Sequence, residues 1–165
     1  MTVAPAQRSK TAILLGAKIV ITEVGSYESN MVDIAARAQV SRATVYNHFA
    51  DKEEMMFSLL ESEILRLADL AANSPTPKDA LLVLSREISG DKALRKMTET
   101  DPEDIASFVT ISEHPLWATV QESLTKIFGL NNSSLVLHWL IGQIASPLTP
   151  AESAHQAEQI ARSLA

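Results

Sequence analysis

Apolar residues recur along most of the chain at the spacing of α-helices, and the alternating pattern typical of strands is not seen. The stripe formed by Ile13, Ala17, Val20 and Val24 predicts a first helix, and Gly25 directly after it is a typical helix stop. We find no internal repeat. The pattern therefore predicts an all-α fold.

Three further helices are predicted, because each of three apolar stripes follows a polar residue that is placed to cap a helix. Asn30 is placed to cap a second helix over 31–38, and Ser41 to cap a short third helix over 42–48. Asp51 is placed to cap a fourth helix, whose apolar stripe continues for about six turns. This long helix connects the first part of the chain to the rest.

The remainder of the chain also has the pattern of helices. Prolines in the first turn mark four of the starts, and Thr76, Asp101 and Thr149 are candidate caps. The predicted helices span 78–89, 91–98, 102–113, 115–128, 133–146 and 150–164.

The second and third predicted helices are joined by a short turn, which is typical of a helix-turn-helix. In that motif the second helix lies in the major groove of DNA. Ile34, Ala35, Val40, Val45 and Phe49 are the expected core of the motif. Among them Ala35 is informative, because only a small side chain lets the two helices cross closely.

The distribution of charge limits where a polyanion can bind. The 165 residues carry a formal net charge of -6, which argues against a general polyanion binder. Up to Lys52, however, six basic and four acidic residues give +2, whereas eight basic and sixteen acidic residues give -8 beyond it. Contact with a polyanion is therefore expected only in the first 52 residues.

An ordered series of motifs runs through this basic segment. It comprises Val-Gly at the end of the first helix, Asp-Ile-Ala-Ala in the second, Val-Ser before the third, Ala-Thr-Val-Tyr-Asn-His-Phe within it, and Asp-Lys-Glu-Glu-Met at the start of the fourth. With these motifs the segment from about Lys10 to Leu60 resembles the DNA-binding domain of the TetR family of bacterial transcriptional regulators. One departure is Gln39, where the family usually has glycine. Gln39 is expected to adopt a left-handed or nearby backbone conformation, at a cost of about 1 kcal/mol.

The resemblance implies a DNA-binding domain over 1–53 and a helical ligand-binding and dimerisation domain over 54–165. It implies base contacts by Arg42, Ala43 and Asn47, of which Arg42 suits guanine O6 and N7 and Ala43 suits a thymine methyl. Phosphate contacts are implied for Asn30, Thr44, Tyr46, His48 and Lys52.

Four of these residues also have a structural interpretation, and that of His48 is plain packing at the helix end. The ring of Tyr46 can be a packed aromatic, Arg42 can be a solvated charge, and Lys52 can pair with the glutamates that follow it. Arg8 and Lys10 are either an N-terminal arm that reaches the DNA backbone or ordinary surface charges.

The resemblance also implies a homodimer formed through the last two helices. The apolar run over 135–144 leaves hardly any polar face, as expected for a helix that is buried on more than one side. The last helix has a narrow stripe of small residues, with Ala154, Ala157 and Ala161 followed by Leu164, which permits close helix approach. A dimer interface and a monomer core both remain interpretations of these two helices.

A small-molecule effector is the remaining partner that the resemblance implies. Regulatory pockets are mainly apolar with a few polar groups, and each candidate for such a pocket is equally well explained as plain core. The candidates are Met97, Phe108, Trp117, His138 and Trp139. The acidic excess of this part of the chain disfavours an anionic effector.

Other classes of function find little support. The absence of cysteine excludes disulfides, thiolate zinc sites and cysteine nucleophiles, and no motif for catalysis or a cofactor is found. The adjacent pair Glu113 and His114 is too weak a signal for a metal site. No apolar stretch approaches the roughly 20 residues that a membrane span requires, and the signal-peptide pattern is incomplete. We expect a cytoplasmic protein with no membrane partner.

Two hypotheses follow for function. The first is a DNA-binding regulator, a repressor that a small molecule releases from a palindromic operator. The alternative is a helical protein-interaction or ligand-sensing module with little affinity for DNA, and it is motivated by the net charge and by Gln39.

Overall fold

The structure is a computed structural model that describes residues 5–110 and 115–164. These residues form ten helices and no strand, so the all-α prediction is confirmed for the part of the chain that is described. The helices are α1 (Pro5–Val24), α2 (Met31–Arg37), α3 (Arg42–His48), α4 (Lys52–Ala72), α5 (Pro77–Ser89), α6 (Lys92–Thr100), α7 (Pro102–Val109), α8 (Pro115–Phe128), α9 (Leu130–Ala145) and α10 (Pro150–Ser163).

Helix caps are the local interactions that set most of the starts, and the caps predicted for the first domain are present. The side chains of Asn30, Ser41 and Asp51 accept hydrogen bonds from backbone N–H groups in the first turns of α2, α3 and α4. Thr76 caps α5, and Thr149 forms a capping box with Glu152 at the start of α10.

Several boundaries and one cap differ from the sequence prediction, and one predicted helix end cannot be compared. The helix α1 begins at Pro5, so Arg8 and Lys10 lie within a helix, and their contact with the DNA backbone stays a prediction. The helix α9 begins at Leu130 because Gly129, at φ +79°, lets the chain turn directly from α8. The predicted cap Asp101 forms no cap bond with α7 and has other partners. Residues 111–113 of the helix predicted over 102–113 lie outside the described residues.

The turn between α2 and α3 takes the predicted conformation. Gln39 has φ +56°, in the left-handed region, and its N–H donates to the carbonyl oxygen of Ala36. The next N–H, of Val40, donates to the carbonyl oxygen of Ala35. These bonds close the end of α2 and redirect the chain into α3.

Two hydrophobic cores organise the chain. The first contains the buried faces of α1 to α3 and the first turns of α4, together with Ala93, Met97 and Ile105 from α6 and α7. The second joins the end of α4 to α5, α8, α9 and α10. The first core therefore crosses the boundary at residue 53, which remains a prediction.

The small-residue stripe of α10 is used within the chain. Ala157 is fully buried and Ala154 and Ala161 are half-buried, and the helix packs mainly against α5. Ser153 of this helix meets the Ser85 hydroxyl at 2.6 Å. The stripe therefore belongs to the core of one chain and is no argument for a dimer.

Candidate DNA-binding and ligand-binding sites

The helix-turn-helix is held by a small and tightly packed core. Ile34 and Val45 have no exposed surface, and Ala35 and Phe49 have 2%. At the crossing of α1 and α2, a Cβ added to Gly16 would lie 2.9 Å from the backbone nitrogen of Ala38. Because the two helices approach this closely, α2 is fixed on α1, and α3 is fixed in turn on α2.

The outward face of α3 carries the residues predicted to contact bases. Arg42, Ala43 and Asn47 are exposed, and Tyr46 beside them is 55% exposed. Val45 points the other way, into the core. A two-turn helix with this outward face has the dimensions that the major groove admits.

Thr44 and His48 lie at the edge of this face and are half-buried. The hydroxyls of Thr44 and Ser41 are 2.8 Å apart, so Thr44 takes part in the cap of its own helix. The rings of His48 and Phe49 are 6.2 Å apart, and Lys10 Nζ lies 5.7 Å from the Phe49 ring centroid. These contacts bring a cation of α1 next to the end of α3.

Asn30 is committed to the start of α2. Its Oδ1 accepts from the backbone N–H groups of Val32 and Asp33, at 3.1 and 3.0 Å, and its Nδ2 donates to Asp33 Oδ2. The side chain is exposed to solvent.

Lys52 is more constrained than a surface lysine. Its Nζ donates to the carbonyl oxygens of Ser26, Tyr27 and Ser29, at 3.0, 3.0 and 3.1 Å. These are all the donors that an ammonium group has. Lys52 therefore ties the start of α4 to the loop over 25–30 that joins α1 to α2, which we call the α1–α2 loop.

Asp101 holds the same loop from the other side. Its carboxylate accepts from the backbone N–H groups of Ser26 and Tyr27, at 2.9 and 3.1 Å, and from Thr100 Oγ1. Burial of the carboxyl raises its pKa, but these hydrogen bonds outweigh burial and hold the pKa of Asp101 below its usual value. The hydroxyl of Ser26 also donates to Asp104. The junction of α6 and α7 is thus bonded directly to the α1–α2 loop.

A cavity of about 770 Å³ lies between α1, α4 to α9 and the α1–α2 loop. Of the candidate pocket residues, Met97, Phe108 and Trp117 line it. Ser26, Tyr27 and Lys52 line it as well. One cavity wall is therefore the loop that leads into the helix-turn-helix.

The other two candidates, His138 and Trp139, do not line this cavity. His138 is exposed on α9, and its Nδ1 donates to the carbonyl oxygen of Ser134, one turn earlier, at 2.7 Å. Trp139 packs towards α10, where its Nε1 donates to Gln156 Oε1 at 3.0 Å. Both residues lie on faces of α9 that are turned away from the cavity.

A network of ion pairs also lines the cavity. Lys18 Nζ lies 2.8 Å from Glu63 and 2.6 Å from Asp91, and Arg66 bonds Glu63 and Glu87. Desolvation lowers the pKa of Lys18, but the hydrogen bonds that it donates to Asp91 and Glu63 outweigh burial, so the pKa lies above its usual value. The network joins α1, α4, α5 and the cap of α6.

Sequence reasoning did not find the groups around the α1–α2 loop. Asp101 had the position of a helix cap, and nothing in its local sequence points to Ser26.

Among the described residues no cluster of three or more His, Asp or Glu side chains is placed to hold a metal ion. The pair Glu113 and His114 lies outside those residues. None of the described helices combines the length and the low polarity that crossing a bilayer requires.

An all-helical chain with an N-terminal helix-turn-helix, a C-terminal helical domain and a cavity lined by both parts is typical of a class of DNA-binding transcriptional regulators. Residues 13–59 match the family model described as bacterial regulatory proteins, tetR family. The N-terminal part of the chain is therefore a tetR-family domain of bacterial regulatory proteins.

Solved structures share the fold over nearly the whole chain. The dihydroxyacetone kinase operon activator DhaS is 17% identical with a TM-score of 0.68, and 94% of this chain and 93% of that one are covered. The TetR family repressor AlkX from Dietzia sp. is 17% identical with a TM-score of 0.63, and the coverages are 98% and 95%. The regulator FadR from Bacillus subtilis, solved with stearoyl-CoA, is 17% identical with a TM-score of 0.57, and the coverages are 93% and 96%. No curated protein is similar enough in sequence to be matched.

Proposed function

We propose that the protein is a homodimeric repressor that binds a palindromic operator and leaves it when a small molecule enters the cavity. The observation that carries this proposal is the position of the α1–α2 loop, which lines the cavity and leads into the helix-turn-helix. We expect the protein to act in the cytoplasm, where bacterial DNA lies, and to have no catalytic activity.

In this proposal the outward face of α3 reads the operator. Arg42, Ala43 and Asn47 contact base edges, with Arg42 bridging O6 and N7 of a guanine. Tyr46, Thr44, His48, Asn30 and Lys52 contact phosphates and set the register. The exposure of Tyr46 and Arg42 on one helix face supports these roles.

The dimer is proposed to form through the outward face of α9. Leu135 is 51% exposed there, and a Cβ added to Gly142 would meet no atom within 4 Å. Leu135, His138 and Gly142 share this face at helical spacing, and the absence of a side chain at Gly142 permits close approach of a second helix. Two recognition helices about 34 Å apart, or a multiple of that distance, would then meet successive major grooves.

The effector acts by binding one arrangement of the chain more tightly than the other. A molecule in the cavity lies against Ser26, Tyr27 and Lys52, and against Asp104, which accepts the hydrogen bond from the Ser26 hydroxyl. If the ligand displaces these contacts, the loop moves and α2 and α3 move with it. The DNA-competent arrangement is then lost.

Selection of bound duplexes from a random DNA library tests the DNA part of this proposal. The wild-type protein should enrich a palindrome, and a variant carrying Arg42→Ala and Tyr46→Ala should not. Arg86→Ala is a matched control, because it removes an exposed arginine of α5. In titrations, Arg42→Ala should relax the preference at one base position by about 1 to 3 kcal/mol, and Tyr46→Phe should weaken all duplexes alike.

The net charge of -6 favours a second candidate, a protein-interaction or ligand-sensing module with little DNA affinity. Salt dependence separates the two, because phosphate contacts release counterions and make affinity fall steeply with salt. If no duplex is enriched even at low salt, the second candidate replaces the first.

A further inference from the structure

The charged residues that line the cavity have an excess of carboxylates. The three cations are Lys18, Lys52 and Arg66. The five carboxylates are Glu53, Glu63, Glu87, Asp91 and Asp104. At neutral pH the part of the lining that lies within residues 5–110 and 115–164 therefore has a formal charge of -2.

All three cations of the lining are already engaged by groups of the protein. Lys18 bonds Glu63 and Asp91, and Arg66 bonds Glu63 and Glu87. Lys52 donates to three carbonyl oxygens. An anionic ligand would have to break these bonds to find a cationic partner, and it would bring a further negative charge to an acidic wall.

The rest of the wall suits a large and polarisable ligand. Phe57, Phe108 and Trp117 line the cavity, and the faces of such rings attract cations. Met56 and Met97 add thioether groups that adapt to irregular shapes. Apolar side chains from α4, α5, α8 and α9 make up most of the remainder.

We propose that the cavity takes an apolar cation, that is, a molecule in which hydrocarbon or aromatic groups surround a positive charge. The carboxylate excess selects the sign of the charge, and the aromatic and thioether side chains hold the hydrocarbon. This inference rests on the proposed function, because it names the chemical class of the effector.

Two ions of nearly the same shape test the sign of the charge. Tetraphenylphosphonium and tetraphenylborate each carry four phenyl rings around one central charge, positive in the first and negative in the second. Binding of each to the full chain is measured by calorimetry in sodium buffers, because potassium precipitates the borate. We expect the cation to bind at least about tenfold more tightly than the anion.

A charge variant and a matched control keep the test specific. The double variant Glu53→Gln with Asp104→Asn removes two carboxylates of the lining, one in α4 and one in α7. It should reduce the preference for the cation to within about threefold. The control Glu61→Gln with Glu103→Gln removes two exposed carboxylates of the same helices that do not line the cavity, and it should keep the preference.

The outcomes separate this inference from the proposed function. Equal binding of the two ions, tighter binding of the borate, or loss of the preference in the control variant would overturn the apolar cation and leave the cavity as an effector site. If neither ion binds, the apolar cation is overturned as well, and the effector role proposed for the cavity is unaffected. Selection of duplexes by the same protein preparation shows whether the proposed DNA binding holds independently of the result for the cavity.

Discussion

The backbone N–H of Ser26 donates to the carboxylate of Asp101 at 2.9 Å, which joins the α1–α2 loop to a residue 75 positions further along the chain. The Tyr27 N–H donates to the other carboxylate oxygen. A single buried side chain therefore accepts hydrogen bonds from two consecutive amides of the loop that precedes the helix-turn-helix.

This arrangement predicts that Asp101 stabilises the fold above the acid range. Its folded-state pKa is depressed, so its contribution is present above the unfolded-state pKa of about 3.9 and is lost as pH falls through the folded-state pKa. Asp101→Asn should lower the free energy of unfolding by about 1 to 2 kcal/mol at neutral pH and should flatten the loss of stability below about pH 4. Urea unfolding over a pH series measures both effects.

Glu103→Gln is the control for this prediction, because it removes an exposed carboxylate from α7. This variant should lose unfolding free energy below about pH 4 in the same way as the wild-type protein. If Asp101→Asn keeps the full wild-type dependence on pH, Asp101 does not have the role that we assign to it.

Replacement of Gly25 by alanine is predicted to destabilise the fold. Its φ is +89°, and an added Cβ would lie 2.5 Å from Asp101 Oδ2 and closer still to Thr100 Oγ1. Gly25→Ala should therefore cost about 1 to 3 kcal/mol in unfolding free energy. Gly142→Ala, compared at a concentration at which the protein is monomeric, is the matched variant, and it should be neutral or stabilise by up to about 1 kcal/mol, because its site is helical and open within the chain. Equal effects of the two variants in chemical denaturation would contradict the steric argument.

Lys52 and Tyr46 should differ in what their removal changes. Lys52→Ala removes three hydrogen bonds to the α1–α2 loop, so it should lower both the unfolding free energy and the affinity for every duplex. Tyr46→Phe should lower affinity alone, because the ring is exposed on α3. Denaturation and DNA titration over a range of salt check this.

The salt series also tests the proposed phosphate contact of Lys52. A contact predicts that the slope of log affinity against log salt falls in magnitude by about 1 in Lys52→Ala. An unchanged slope with lower affinity would remove Lys52 from the phosphate contacts and leave it as a loop clamp.

Leu135 is predicted to lie in the dimer interface. Leu135→Arg should raise the dimer dissociation constant by about tenfold or more, because a buried leucine is worth about 1.5 to 3 kcal/mol. Sedimentation equilibrium measures the change. Leu130→Arg is the control, because Leu130 is 78% exposed at the start of α9 but lies on a different face of the helix. Dissociation by both variants alike would argue against the α9 interface.

The parts of the structure that the sequence predicted are those that local interactions decide. Asn30, Ser41 and Asp51 cap helices whose first turns are two or three residues away, and Gln39 was expected in the left-handed region from its place in the motif. A cap depends on side chains and amides that are neighbours in sequence, so it can be predicted from the local amino-acid sequence alone.

The contacts that could not be predicted join distant segments. Nothing near Asp101 distinguishes a loop anchor from a helix cap, since either role needs only a carboxylate and free amides. His138 lies in an apolar run, yet it faces outward, because the run does not say which face of α9 the other helices cover. Met97, Phe108 and Trp117 were found as apolar and aromatic residues, but the cavity that they share depends on the packing of seven helices.

The sharing of one hydrophobic core by α1 to α4 and by Ala93, Met97 and Ile105 has a practical consequence for protein engineering. The first sixty residues are not a portable module. Excised or grafted onto another effector domain, they would expose apolar side chains of α1 and lose the anchor of the α1–α2 loop at Asp101. A chimera that keeps the fold of this helix-turn-helix has to carry α6 and the start of α7 with it.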